Sequence, residues 1–208
     1  MQVAKIPLGQ LQANCFLLIE DSECLIIDPA DEAAFLLEEI QRRKLKLIGL
    51  LATHGHFDHV LAAGEIQRSI PVPLYLFNED KFLINRLNET AKHFLGYDPY
   101  ALEPKKCIYL QEKKMRIGEF DVKVIKTPGH TPGGCCFYFE KENMIFTGDT
   151  LFKDGIGRYD FSYSDKDNLL QSIQKVLSLP PETKILCGHG QDSSVSAAII
   201  SMKRELYS

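Results

Sequence analysis

Thr53-His54-Gly55-His56-Phe57-Asp58-His59 places three imidazoles and a carboxylate within six residues. These are the side chains that bind divalent transition metals, and few other tasks need them so close together. The stretch comes at the end of an apolar run, Leu47–Thr53, of buried-strand length. His54 and His56 are two apart and share a face on an extended chain. Asp58 and His59 come where a helix begins near Asp58 and carries Val60, Leu61 and Ile66 to about Ser69, so they are turned towards a neighbouring position. One metal could take the first pair and a second metal the latter pair.

Working outward, the same local pattern recurs three times. Val122–Thr127 is followed by Pro128-Gly129-His130, Met144–Thr147 by Gly148-Asp149, and Lys184–Cys187 by Gly188-His189. Each time an apolar strand run ends in a small residue and then a metal-type residue. Residues just past the carboxyl ends of several strands can converge on one edge of a sheet. Gly129, Gly148 and Gly188 suit tight turns there, and a plain loop role explains each of them equally well. A lone histidine usually satisfies a local hydrogen bond. Five of the six histidines fall in these four places, leaving out only His93, and that grouping is not explained one bond at a time.

The rest of the chain supplies strands and helices around these points. Val3–Ile6, Asn14–Glu20 and Cys24–Asp28 read as strands. Asp31 reads as the N-cap of a helix with Ala33, Leu36, Leu37 and Ile40 on one face. In residues 78–106, Asn78-Glu79-Asp80 looks like a helix start, with Phe82, Leu83 and Leu87 suiting a short helix. His93 to Tyr100 reads as an aromatic loop, either covering a site or forming a surface excursion. Strands follow at Cys107–Leu110, Phe120–Thr127, Cys135–Glu140 and Met144–Thr147. A helix from Ser164 carries Leu169, Leu170, Ile173, Val176 and Leu177 and stops before Pro180-Pro181. After the strand Lys184–Cys187, a closing helix has Val195, Ile199, Met202 and Leu206 at helical spacing. Each half of the chain thus gives strands and then helices, which predicts an α/β protein of two sheets flanked by helices in one domain, 1–208.

Bulk properties narrow the partners. The 208 residues carry a net charge of -4, without the basic footprint of a nucleic-acid binder. No apolar run approaches membrane-spanning length and the N-terminus lacks a signal-peptide core, so a cytoplasmic protein with no membrane partner is expected. Six cysteines form no CxxC pair, and most sit in strand-like runs, as buried free thiols do. Cys135 and Cys136 should face opposite sides of one strand.

The residues Thr53–His59, with His130 in Thr127-Pro128-Gly129-His130-Thr131, Asp149 in Gly148-Asp149-Thr150 and His189 in Gly188-His189-Gly190, resemble the metallo-β-lactamase superfamily over nearly the whole chain. Thr147-Gly148-Asp149-Thr150-Leu151-Phe152, followed by Gly155-Ile156-Gly157-Arg158, is most similar to the glyoxalase II group, in a short form without its C-terminal helical domain. The resemblance implies a four-layer αββα sandwich. It implies that His54, His56 and His130 hold one divalent ion and Asp58, His59 and His189 a second, with Asp149 bridging. It further implies zinc, with iron or manganese as alternatives, and a small-molecule thioester of the S-2-hydroxyacylglutathione type, cleaved by water activated between the ions. Asp58 would also act catalytically, orienting that water and handling its proton. Lys153, Arg158 and Tyr159 stand about where the family contacts glutathione, and an ordinary solvated loop fits them as well. The acidic residue at Asp149 argues against the β-lactamases themselves.

Other readings share most of these motifs. A persulfide dioxygenase would use a single Fe(II), and a lactonase or other ester hydrolase would use the same carbonyl chemistry. A nuclease of the superfamily usually carries an added RNA-clamping part, for which 208 residues leave little room. A non-catalytic metal-binding domain would need only a closed site of four ligands, whereas seven candidates suit an open two-metal site better.

Overall fold

The computed structural model describes residues 1–207, with side chains through Ser201. The order is β1 (Gln2–Leu8), β2 (Ala13–Glu20), β3 (Glu23–Ile27), α1 (Ala33–Arg42), β4 (Lys46–Leu51), α2 (Phe57–Val60), α3 (Ala63–Ser69) and β5 (Leu74–Leu76). It continues with α4 (Lys81–Ile84), α5 (Leu87–Leu95), β6 (Cys107–Tyr109), β7 (Lys114–Ile117), β8 (Phe120–Lys126), β9 (Cys135–Phe139) and β10 (Met144–Gly148). A small hairpin, β11 (Leu151–Phe152) and β12 (Gly155–Ile156), precedes α6 (Lys166–Leu177), β13 (Lys184–Cys187), β14 (Ser193–Ser194) and α7 (Val195–Tyr207).

Two mixed six-stranded sheets result, β1-β2-β3-β4-β5-β6 and β14-β13-β10-β9-β8-β7. Side-chain alternation along the central strands decides how they stack. On β2 and β3, Cys15, Leu17, Cys24 and Ile26 join Leu36 and Ile40 of α1 and Ile66 of α3 in one core. Their neighbours Phe16, Leu18, Leu25 and Ile27 point the other way and meet Val122, Val124, Phe137 and Phe146 of the second sheet. The outer face of that sheet, with Tyr138 and Ile145, packs on Leu169, Ile173 and Val176 of α6 and Val195 and Ala198 of α7. Three apolar layers between helices, sheet, sheet and helices make the expected four-layer αββα sandwich. Cys135 lies in the middle core and Cys136 in the outer one, so adjacent thiols face opposite sides.

Several sequence expectations are corrected. Asp31 does not cap α1. Glu32 adopts the left-handed conformation (φ 55°) before Ala33, and Asp31 Oδ1 accepts only the Glu32 N–H, at 2.6 Å. The helix expected from Asp58 to Ser69 is two short ones, because the Ala62 N–H leaves the helical ladder for the Pro29 carbonyl (3.1 Å). Asn78–Asp80 forms a 3₁₀ turn ahead of α4, and Leu87 opens a separate helix. His93-Phe94-Leu95 belongs to that helix, which ends at Gly96 (φ 78°), a left-handed position suited to glycine at a helix end. The edge strand β7 and the β11–β12 hairpin are additions, too short and, in β7, too charged to show a strand pattern. Met202 and Leu206 lie outside the residues whose side chains are described.

Candidate metal centre

Strand directions decide where the ligands meet. β8 and β10 both run antiparallel to β9, and β13 runs parallel to β10. The carboxyl ends of β8, β10 and β13 therefore share one edge of the second sheet, which brings His130, Asp149 and His189 together. β3 and β4 run parallel in the first sheet, so Asp28 and Thr53–His59 emerge side by side. The Cys135 N–H donates to the Thr53 carbonyl (2.8 Å), which ties this loop to the second sheet.

The structure brings all seven candidate ligands into one cluster. Atoms of His54, His56 and His130 lie within 4.8 Å of one another, as do those of Asp58, His59 and His189, and those of His54, His59 and Asp149. Asp149 faces both sets: Oδ2 is 3.6 Å from His130 Nε2, and Oδ1 is 3.3 Å from His59 Nε2 and 3.8 Å from His189 Nε2. Asp58 Oδ2 is 3.3 Å from His189 Nε2.

Hydrogen bonds on the far side of each ring fix the tautomers. His130 Nδ1 donates to the Arg158 carbonyl (2.7 Å) and His189 Nδ1 to the Leu11 carbonyl (3.1 Å). His59 Nδ1 donates to Asp28 Oδ2 at 2.9 Å. Thr53 Oγ1 spends its hydrogen on the same carboxylate (2.7 Å) and so accepts from His54 Nδ1 (3.0 Å). The proton of each neutral ring is thus on Nδ1, and the Nε2 lone pair of all four points inward. His56 is turned the other way. Its Nε2 pairs with Tyr163 Oη (2.8 Å), a hydroxyl that accepts from it when Nδ1 is the inward lone pair, and that Nδ1 lies 3.1 Å from His54 Nε2 and 2.9 Å from His130 Nε2.

Lone pairs facing one another at hydrogen-bond distance, with no proton to share, repel unless a cation sits among them. Asp149 Oδ1 is likewise buried with no hydrogen-bond donor, a costly condition for a carboxylate oxygen. The donor set of imidazole nitrogens and carboxylates suits zinc, iron or manganese. The residues present therefore fit a pair of divalent ions.

Electrostatics differs between the two sets. Burial, then the neighbouring imidazoles, holds His54 well below its ordinary value, and burial and His130 bring His56 down to about 3. His54 and His56 are therefore neutral. In the second set, burial pulls His59 down but Asp149, Asp58 and Asp28 outweigh it and raise it well above the ordinary value. His189 is raised too, with Asp58 and Asp149 overcoming its burial. Burial works to raise Asp149, yet His59, His189 and His130 keep it lowered. The carboxylates thus draw positive charge into this half of the site, and a divalent ion binding there releases protons.

Three contributors escape a search for ligand motifs. Asp28, fully buried, orients His59 directly and His54 through Thr53. It ends an apolar strand as the ligands do, and that pattern could have found it. Asp80, also fully buried, accepts from the Gly55 N–H (2.8 Å), Thr131 Oγ1 (2.7 Å) and the Gly133 N–H (2.6 Å), joining the first ligand loop to the His130 loop. Tyr163 stacks on Phe161 (centroids 5.4 Å apart). Nothing in the sequence around Asp80 or Tyr163 signals these roles.

Two close backbone approaches require glycine. A Cβ on Gly188 would lie 2.4 Å from Asp149 Oδ1 and 2.7 Å from His59 Cε1. One on Gly148, at φ 48°, would lie 2.2 Å from Thr53 Oγ1.

A cavity of about 430 Å³ opens over the cluster, with His56, Asp58, His130, Asp149 and His189 in its floor. Thr90 and Phe94 of α5 form part of its wall, so the segment 78–106 borders the site through this helix. Of the three expected substrate residues, only Arg158 lines the cavity. Its guanidinium is held by Asp160 (2.9 and 2.8 Å). Lys153 bonds Gln191 (2.7 Å), and the Tyr159 ring lies under Lys166 Nζ (5.1 Å).

Comparison with known proteins agrees with this geometry. Residues 8–189 match the metallo-beta-lactamase superfamily. The chain is 37% identical over 198 residues to hydroxyacylglutathione hydrolase GloC of Haemophilus influenzae, covering 94% of this chain and 93% of that protein. It superposes on the BLEG-1 B3 metallo-beta-lactamase with TM-score 0.89 and 33% identity, over 96% of this chain and 97% of the other. A di-iron-bound form of TTHA1623 gives TM-score 0.88 at 33% identity, over 95% and 98% of the two chains. Shared fold, shared length and these matches lead to one statement: the chain belongs to the metallo-beta-lactamase superfamily.

Proposed function

We propose that the chain is a hydrolase for a small thioester of the S-2-hydroxyacylglutathione type, with His54, His56 and His130 holding one divalent ion, Asp58, His59 and His189 the other, and Asp149 both. The observation that carries this reading is Asp149, whose two oxygens face the two ligand sets. Zinc is the first candidate, and the di-iron form of a structural relative keeps iron beside it. Such ions supply an activated water and an electrophile for the carbonyl oxygen.

The chain's own groups do the remainder. Asp58, 3.3 Å from His189 and on the cavity floor, is placed to accept the proton of an attacking water and pass it to the leaving thiolate. Asp28, Thr53 and Tyr163 keep the imidazoles in their working tautomers. The cavity admits a small molecule, and we assign no nucleic-acid or membrane partner; no described helix is long and apolar enough to cross a membrane. Six free thiols fit a reducing compartment, and we place the enzyme in the cytoplasm. The thioester assignment draws on the GloC relative at 37% identity.

The test is turnover of S-lactoylglutathione by protein reconstituted with zinc, iron or manganese. Hydrolysis is expected, and Asp58→Asn should lower kcat by about 100-fold or more. Oxygen uptake on glutathione persulfide with one iron per chain and no hydrolysis would replace this reading with the dioxygenase. Cleavage of lactones alone would replace it with a lactonase.

A further inference from the structure

The walls of the cavity differ in character from its floor. Leu11, Phe57, Phe94, Phe152, Ile156 and Phe161 form them, drawn from the β1–β2 turn, α2, α5, the β11–β12 hairpin and the loop before α6. Phe57 and Phe94 stack with centroids 5.7 Å apart, which gives one side a continuous aromatic face. Leu11 and Phe94 are 46% and 51% exposed, so large apolar side chains from separate elements face water at the mouth. Apolar surface gathered around a concave site marks where a ligand's apolar part rests.

Charge decides which part of a thioester that is. The glutathione half carries two carboxylates and an ammonium group, and charged groups are not desolvated against phenyl and butyl surfaces without partners. Among the described residues, Arg158 is the one Lys or Arg lining the cavity, and it stands at the rim, 61% exposed, with Nε and Nη2 donating to Asp160 and the guanidinium over the Phe161 ring at 4.5 Å. The charged half therefore projects towards solvent past this rim, and the walls are left to the acyl half. A lactoyl methyl would touch little of them. The hydroxyls of Thr90 and Tyr163 stand among the apolar side chains as polar points for a 2-hydroxyl group.

We propose, resting on the thioester-hydrolase reading above, that the preferred substrate bears a bulky apolar 2-hydroxyacyl group, aryl or branched alkyl, seated on the Phe57–Phe94 face and the Phe152–Ile156 hairpin. This wall selects the acyl half, and the thiol half is held loosely at the rim.

The experiment compares two thioesters of the same thiol, S-mandeloylglutathione and S-lactoylglutathione, on the metal-reconstituted protein. The expected ratio of kcat/KM is about tenfold or more in favour of the mandeloyl group, the scale that filling an apolar pocket provides. Phe152→Ala and Phe94→Ala should each pull that ratio towards one. Because it is a ratio, differences in folding or metal content between variants cancel. A ratio at or below one overturns the acyl-wall assignment and leaves the hydrolase standing. A high ratio unchanged in both variants also overturns it. Failure to cleave either thioester removes the underlying reading, and this inference with it.

Discussion

Asp28 shows how one side chain outside the ligand set governs two members of it. Its carboxylate receives the Thr53 N–H and hydroxyl (both 2.7 Å) and His59 Nδ1 (2.9 Å). An amide at this position would turn an N–H₂ group towards donors. Asp28→Asn should therefore weaken metal binding by about 10- to 100-fold, read by competition with a chelator. It should also lower stability by about 1–3 kcal/mol, read by urea unfolding; unchanged metal affinity would show that the ring orientations do not depend on it. His56 gives a pH prediction. Its folded value of about 3 lies below the ordinary 6.5, so the native ring stays neutral while the unfolded ring takes a proton. The stability that neutral His56 contributes is present above pH 6.5 and is lost as pH falls from there towards 3. Chelator-treated wild type should lose urea resistance over that window more steeply than His56→Gln, and parallel profiles would contradict the assignment.

At the scale of elements, caps and loop ends hold the ligand loops. Asp165 caps α6 by accepting the Asn168 N–H at 2.9 Å, while its own N–H donates to the Gly129 carbonyl (2.8 Å) beside His130. Asp165→Ala should cost about 1 kcal/mol in chemical unfolding, and no loss would mean that the cap is idle. The sequence was most readable where periodicity was long. The eight-residue β2 starts one residue before its apolar run and ends with it, and α6 follows its spacing of Leu169, Ile173 and Val176. It was least readable where tertiary bonds override local preference, as at Glu32 and Ala62, or where an element is two to four residues long. The clustering of the seven candidate ligands was legible because every member follows an apolar strand. Asp80 and Tyr163 were not, since their partners lie 25 to 107 residues away in the chain.

For the whole molecule, two sheets present their carboxyl edges to one another, and the cores beneath keep those edges in place. Phe146 is fully buried between the sheets, edge-on to Phe16 (5.0 Å) and Phe139 (5.6 Å). Phe146→Ala should cost about 3–5 kcal/mol, measured by thermal or urea unfolding; a loss below 1 kcal/mol would deny the middle core that role. The seven candidate ligands come from residues 54 to 189 and meet only in the native chain. Ions bound there favour the folded state by mass action, so adding a chelator should lower Tm and adding zinc should restore it. The central claim, that these side chains form two adjoining cation sites, is tested most directly by elemental analysis of the purified protein equilibrated with zinc. The account predicts about two ions per chain, falling in Asp149→Ala, because an open site joined by one carboxylate holds both. A single ion per chain, or two ions held as tightly without Asp149, would contradict it.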